Sequence, residues 1–366
     1  MVAKRIIISG GGTGGHIFPA IAIANAIKAI DPLTEILFVG AEGKIEMQKV
    51  PAAGYQIKAL PVRGFERKIS FKNLKVLFGL IQSLFKSRKI IKQFKPDAVV
   101  GVGGYASGPV VYMASRQKIP SLLQEQNSYA GVTNKLLAKR ANRICVAYDG
   151  MEKFFKKDKI IKTGNPVRKD LYSKKINKVE ACQFFKLDSS KKTILILGGS
   201  GGARTINEAV IQHLDLIVKS DLQIILQTGA FYFQKTIEAA KEFLNNNIKI
   251  VDFINEMAYA FAIADIVITR AGAGTISELC LLAKPVILIP SPNVAEDHQT
   301  KNALALVEKN AAILIVDKDA VTNLVPRALN LAGNETEMNE LSKNIFKLAI
   351  PDSDVIIAKE IFKLCK

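Results

Sequence analysis

Twice in this chain an apolar, strand-like run passes straight into a glycine turn and then into a helix-like run. The first is Ile6-Ile7-Ile8, followed by Gly10-Gly11-Gly12-Thr13-Gly14-Gly15-His16 and the apolar stretch 18–24; the second is the run 193–197, followed by Gly198-Gly199-Ser200-Gly201-Gly202-Ala203-Arg204. Glycines let a backbone come close to a bound group, and the N–H groups of a helix start favour negative charge, so both loops suit phosphate. The repetition predicts two Rossmann-like halves in tandem, with a glycine loop on each wall of one cleft. Gly10, Gly12 and Gly15 also satisfy G-x-G-x-x-G, so two other readings stay open here: a dinucleotide site, and a turn that is glycine-rich only for packing.

A length of 366 residues suits two α/β domains rather than one core, and a hydrophobic fraction of 49% predicts that both are globular. Strand-like and helix-like segments alternate throughout, with strands expected at 35–39, 98–102, 119–123, 142–147, 192–197, 222–229, 248–254, 264–269 and 285–290. The last strand of the first half is expected at 142–147, and the lysine-rich stretch 153–162 with Gly164-Asn165-Pro166 reads as the domain connection. The four cysteines Cys145, Cys182, Cys280 and Cys365 lie far apart with no histidine cluster nearby, which predicts neither a disulfide framework nor a zinc site and favours a reducing, cytoplasmic setting. Ile6 to Ile8 is too short for a secretory apolar core, and no apolar run reaches the length of a membrane span.

Fifty-one lysines and arginines against 33 acids give a net charge of +18, which calls for an anionic partner. From Lys58 to Lys95 eleven of these bases stand against the single acid Glu66. Within that zone Phe71, Leu74, Leu77, Phe78, Ile81, Leu84 and Phe85 recur at helical spacing, flanked by Lys72, Lys75, Lys86, Arg88, Lys89 and Lys92. Such a helix either buries its apolar stripe in a core or rests on anionic headgroups through Leu77, Phe78 and Ile81 with Lys72 and Lys75 beside them. Phenylalanines at core-like spacing do not form a nucleic-acid reading module, so no nucleic-acid partner is expected.

Polar residues gather after several expected strands. Gly103-Gly104-Tyr105-Ala106-Ser107-Gly108-Pro109 follows one and Gln124-Glu125-Gln126-Asn127 another, and in a parallel sheet such carboxyl ends line the ligand crevice with His16. In the second half Arg270-Ala271-Gly272-Ala273-Gly274 leads into Thr275-Ile276-Ser277-Glu278. Two roles fit Glu278: it completes a capping box with Thr275, or it accepts hydrogen bonds from the paired hydroxyls of a ribose whose diphosphate meets the helix start. Asp297 similarly reads as a helix cap or, with Gln299, as a partner for sugar hydroxyls.

In order, Gly-Gly-Thr-Gly-Gly-His-Ile-Phe-Pro at 11–19, Gly-Gly-Tyr-Ala-Ser-Gly-Pro at 103–109, Gln-Glu-Gln-Asn at 124–127, Gly-Asn-Pro-Val-Arg at 164–168, Gly-Gly-Ser-x-Gly-Ala-Arg at 198–204 and Arg-x-Gly-Ala-x-Thr-x-Ser-Glu at 270–278 cover essentially the whole chain. With these motifs the chain resembles the MurG family, the UDP-N-acetylglucosamine transferases that convert lipid I to lipid II in peptidoglycan synthesis. The resemblance implies an inverting, metal-independent GT-B glycosyltransferase: an α/β chain of two Rossmann-like parallel-sheet domains facing across a cleft, with no cofactor. It implies a domain of residues 1–161 plus 342–366 that takes the acceptor and faces the membrane, and a domain of 162–341 that takes the UDP-sugar. The partners implied are UDP-N-acetylglucosamine, lipid I and an anionic membrane surface, at the cytoplasmic face of the inner membrane. The final helix, near 355–366, is expected to cross back onto the first domain, and Asp352-Ser353-Asp354 to start that helix rather than bind metal.

Carried over by motif, Thr13, Gly14, Gly15, Asn127, Arg168, Ser200, Ile254, Ala273, Gly274, Thr275, Ile276, Ser277, Glu278 and Gln299 would bind the donor, with Glu278 on the ribose. Gly12, Gly104, Tyr105 and Ser107 would meet the acceptor diphosphate. Gly201, Gly274 and Thr300 depart from the residues usual in the family. His16 is the candidate general base; orienting a loop or donating to a phosphate is the other duty open to it. Two readings from other classes are a nicotinamide-dependent dehydrogenase, which leaves the second glycine loop unexplained, and a basic adaptor, which has no need of two glycine-walled domains.

Overall fold

The computed structural model describes residues 3–62, 71–173, 176–199, 201–244 and 247–365; at 71–75, 173 and 295 it describes the backbone alone. The chain divides into two compact units, one of Met1–Val167 with Ile350–Lys366 and one of Arg168–Ala349. In the first, β1 (Arg5–Ser9), α1 (Gly14–Ile30), β2 (Glu35–Ala41), α2 (Glu46–Ala52), β3 (Gln56–Leu60), α3 (Phe71–Phe94), β4 (Ala98–Gly101), α4 (Ser107–Arg116), β5 (Ser121–Glu125), α5 (Val132–Leu137), β6 (Arg143–Val146) and β7 (Ile160–Lys162) follow one another. Among the described residues they build a seven-stranded parallel sheet in the order β3-β2-β1-β4-β5-β6-β7.

The second unit holds α6 (Asp170–Ser173), α7 (Lys178–Phe185), β8 (Lys192–Leu197), α8 (Arg204–Gln212), α9 (Leu214–Lys219), β9 (Leu222–Gln227), α10 (Ala230–Ala240), β10 (Ile248–Val251), α11 (Met257–Ile263), β11 (Ile266–Thr269), α12 (Ala273–Leu281), β12 (Val286–Leu288), α13 (His298–Val307), β13 (Ile313–Leu314), α14 (Asp317–Ala332) and α15 (Glu335–Phe346). Its described strands form a six-stranded parallel sheet in the order β10-β9-β8-β11-β12-β13. The last helix, α16 (Ser353–Leu364), returns to the first unit.

The triple isoleucine of β1 shows why the chain folds this way. Successive strand residues point to opposite faces, and a parallel sheet carries helices on both, so a central strand is apolar throughout. Ile7 joins Leu37, Val99, Val110 and Leu123 on one face, while Ile6 and Ile8 join Ile17, Ile23 and Ile27 of α1 on the other. Each isoleucine is fully buried and contributes about 1.5–3 kcal/mol by leaving water. Ile357, Ala358 and Ile361 of α16 complete the α1 side of that core.

In each sheet the strand order reverses direction at one place, between β1 and β4 in the first and between β8 and β11 in the second. Loops leaving the two strands at such a point diverge and open a crevice, and the glycine-rich segments after β1, β4, β8 and β11 all leave from there.

Several expectations are corrected. The segment 153–162 is not only a connection: it ends in β7, a seventh strand paired with β6, so the first unit runs on to Val167 rather than stopping at 161. At the second crossing α15 packs on α12 and α14, which keeps the chain in the second unit to Ala349 rather than 341. The basic zone opens with a strand, β3, and β13 is a two-residue edge strand inside the apolar run 311–316, where no strand is expected above. Gln124 and Glu125 belong to β5 itself, not to the loop beyond it.

Candidate active-site loops

In the first unit the loop after β1 ends at Thr13, the residue that precedes α1. A threonine there ordinarily accepts an N–H of the first turn; here it makes no such bond, and its Oγ1 lies 3.1 Å from Nδ1 of His16. The half-buried imidazole stands against Gly103 of the loop after β4, where a Cβ would come within 2.8 Å of His16 Cδ2 and 3.0 Å of Nε2. Gly104 is pressed still closer to the β1 loop, since a Cβ on it would meet the Gly11 carbonyl oxygen at 2.2 Å. The two glycine loops are thus in contact at the switch point, with His16 between them and the start of α1 beside it.

The residues expected to meet the acceptor diphosphate fall in this neighbourhood in different states. Tyr105 is exposed. Ser107 is buried and its hydroxyl donates to the Gly104 carbonyl at 2.9 Å, a bond internal to the loop. The Gly12 N–H donates to the Glu46 carboxylate at 2.9 Å, so that amide is taken.

Behind the loops lies a buried polar network. Gln126 Nε2 donates to the Val102 carbonyl, Asn165 Nδ2 to the Gln126 carbonyl and Gln124 Nε2 to Asn165 Oδ1, at 2.8, 3.0 and 2.9 Å. Glu125 accepts from the Asn127 and Gly131 N–H groups and from the side-chain amides of Asn127 and Asn134, and this shapes the turn carrying Asn127. Burial nevertheless raises the Glu125 pKa, outweighing these bonds.

In the second unit α12 begins at Ala273 behind Gly272, and the Ile276 N–H already donates to the Gly272 carbonyl. Thr275 is therefore inside the helix, and the capping box with Glu278 does not form. Glu278 instead reaches Arg168, with Nε to Oε1 at 3.6 Å, and its side chain is 17% exposed. Burial pushes its pKa up to about 7 even though Arg168 pulls it down; Asp170 adds to the rise. Ile276 and Ile254 are buried, Ile254 donating its N–H to Gln227 Oε1, and the Ser277 hydroxyl donates to the Ala273 carbonyl. At Gly274 a Cβ would meet nothing within 4 Å. Gln299 Oε1 accepts from the Ser291 N–H at 2.8 Å, which turns its NH2 group the other way, and the Thr300 hydroxyl donates to Asp297 at 2.6 Å. Ser200 lies outside the described residues.

Sequence reasoning missed two groups. Arg270 donates to the Ile289 and Pro290 carbonyls and pairs with Asp317, which accepts from Thr205; one partly buried ion pair thereby joins the loops after β11 and β12 to the starts of α8 and α14. Glu46 is the other, wholly buried beside the first glycine loop. Its only sequence signal is a carboxylate shortly past a strand's carboxyl end, where loop amides collect, and Glu42, which directly follows β2, gives the same signal.

On α3 four residues of the apolar stripe stand outside the core. Phe78 and Phe85 are 63% and 67% exposed, with Leu77 and Ile81 exposed beside them, while the buried side is Val76, Gly79, Ser83, Ser87, Ile90 and Ile91. The side chains of Lys72 and Lys75 lie outside the described residues. Among the described residues no helix is long and apolar enough to cross a membrane, and no three His, Cys, Asp or Glu gather as a metal-ligating group.

The profile of the glycosyltransferase family 28 N-terminal domain matches residues 6–146, and that of the family 28 C-terminal domain matches residues 193–354. A Bacteroides fragilis protein named UDP-N-acetylglucosamine--N-acetylmuramyl-(pentapeptide) pyrophosphoryl-undecaprenol N-acetylglucosamine transferase is 61% identical over 366 residues, covering 100% of this chain and 96% of the relative. A Cytophaga hutchinsonii protein of the same name is 52% identical, over 98% of this chain and 96% of its own. Among solved structures, Acinetobacter baumannii MurG superposes with a TM-score of 0.81 at 26% identity, covering 98% of this chain and 99% of that one.

Proposed function

The chain belongs to glycosyltransferase family 28, and from that membership we infer that it transfers N-acetylglucosamine from UDP-N-acetylglucosamine to the C4 hydroxyl of the muramyl sugar of lipid I, giving lipid II. The observation that carries the reading is the 61% identity with a transferase of that name along the whole chain.

In this reading the first unit takes the acceptor. His16 removes the C4 hydroxyl proton through Nε2 as the oxygen attacks the anomeric carbon and the bond to the UDP oxygen breaks, with inversion. A base needs a lone pair, so Nδ1 must hold the ring's proton and donate it to Thr13 Oγ1. Thr13, Gly14, Gly15 and Asn127 approach the donor sugar, and Gly104 and Tyr105 the acceptor diphosphate. The second unit takes the nucleotide: the α12 start and Arg168 stabilise the departing diphosphate, Glu278 accepts from the ribose hydroxyls and the Gln299 NH2 group donates to the sugar. These interactions supply the charge stabilisation without a metal.

The exposed apolar side chains of α3 and the basic residues around them support contact with an anionic membrane, as a peripheral protein on the cytoplasmic face. The test is radiolabelled transfer: label from UDP-N-acetylglucosamine is expected in a lipid I analogue, and an unlabelled acceptor beside tight binding of NADH would reverse the reading toward a dehydrogenase.

A further inference from the structure

The β1 loop has the spacing of a dinucleotide loop, yet its backbone is already occupied from behind. Glu46, the first residue of α2, is fully buried and its two carboxylate oxygens each accept one N–H at 2.9 Å, Oε2 from Gly12 and Oε1 from Ala41 at the end of β2. Gly11 has φ +143, and a Cβ placed on it would lie 2.1 Å from Glu46 Oε1. On the other side the Gly104 backbone closes on the Gly11 carbonyl. The loop is thereby clamped between a carboxylate and a second glycine turn.

We propose that Glu46 is a positioning residue for the transfer reaction: it holds Gly11 and Gly12 against β2, denies that part of the β1 loop to a pyrophosphate, and so leaves this loop only the start of α1 for ligand contact, where it sets the position of His16. The chemistry follows from the acceptor set. A carboxylate satisfies two converging N–H donors at once, and it repels a phosphate brought to the same amides. In a dinucleotide enzyme the second glycine of the motif leaves the backbone open to the pyrophosphate; here a fixed negative group fills that side. The inference rests on the acceptor reading of the first unit.

Glu46→Gln tests it. The glutamine keeps one acceptor oxygen and turns an NH2 group toward the other N–H, so one of the two amides loses its partner. Amide exchange in the peptide 9–13 is expected to quicken while peptides from β8 keep their protection. Turnover with a lipid I analogue is expected to fall by ~30-fold or more, since a displacement of about 1 Å can cost ~100-fold. UDP affinity by calorimetry should stay within about twofold, because the proposed nucleotide contacts all belong to the second unit. Unchanged exchange at 9–13, or faster exchange with normal turnover, overturns the proposal. Wild-type transfer is run alongside: an inactive wild type sinks the acceptor reading, whereas an active wild type beside an equally active Glu46→Gln sinks only the role of Glu46. Should that variant not fold, Gly11→Ala drives a methyl into the same carboxylate, and the same loss of turnover with intact UDP binding is expected; normal turnover there also overturns the proposal.

Discussion

In the proposed mechanism His16 and Glu278 place opposite demands on their protons. For His16 to receive one at Nε2, the hydroxyl of Thr13 must act as acceptor toward Nδ1–H, and Gly103 must leave room for the ring. His16→Ala is expected to lower turnover at least ~100-fold with UDP affinity preserved, and Thr13→Val to lower it less by freeing the tautomer; steady-state kinetics beside calorimetry checks both. Glu278 must instead be ionised to accept from two hydroxyls, yet burial holds its pKa near 7. Bound donor favours the ionised form, so affinity is full above that pKa and is lost as pH falls through it. Titration with UDP-N-acetylglucosamine, whose diphosphate does not titrate in this range, should show Kd about tenfold weaker at pH 6 than at pH 8, and Glu278→Gln should flatten the profile. The glycine loops and Glu278 were legible in the sequence because glycine spacing and a carboxylate near a helix start are local patterns. Glu46 was not, because its partners Gly12 and Ala41 meet it only once β1 and β2 pair. The capping box failed for a local reason: α12 starts two residues before Thr275.

Among the elements, α3 separates periodicity from burial. Its apolar residues recur at helical spacing, which sequence alone reads equally as a core face or a lipid face. The structure gives the core side to Gly79, Ser83 and Ser87, because α3 crosses the chain closely: a Cβ on Gly79 would stand 2.6 Å from the Pro61 carbonyl oxygen. Small residues fit that approach and leave Leu77, Phe78, Ile81 and Phe85 outside. Changing Leu77, Phe78 and Ile81 to serine is therefore expected to leave the fold intact and to weaken sedimentation with anionic vesicles by ~10-fold or more. Unaltered binding by the folded variant would count against a lipid-facing α3. The central strands were easily read, since β1 and β8 are apolar on both faces. Edge strands such as β7 and β13 were not, because they are short and only partly buried.

At the scale of the whole molecule, the strand–glycine–helix repeat correctly announced two sheets, and the strand order explains why the glycine loops collect where they do. The crossings were harder to read, because β7 and α15 are assigned by what they pack against and not by composition. Ile357 of α16 is fully buried in the α1 core, so Ile357→Ala should cost about 2–5 kcal/mol. Hydrogen exchange is expected to quicken across α1 and β1 and not across β8, with UDP binding kept. That return of α16 also bears on the order of events at the ribosome. Residues 168–349 form one uninterrupted stretch and have everything they need as soon as they emerge. The unit translated first needs Ile357, Ala358 and Ile361, which are made only after the whole of the second unit. The unit whose first strand is made earlier is thus the one that must finish second, waiting with an uncovered α1 for its closing helix to be synthesised.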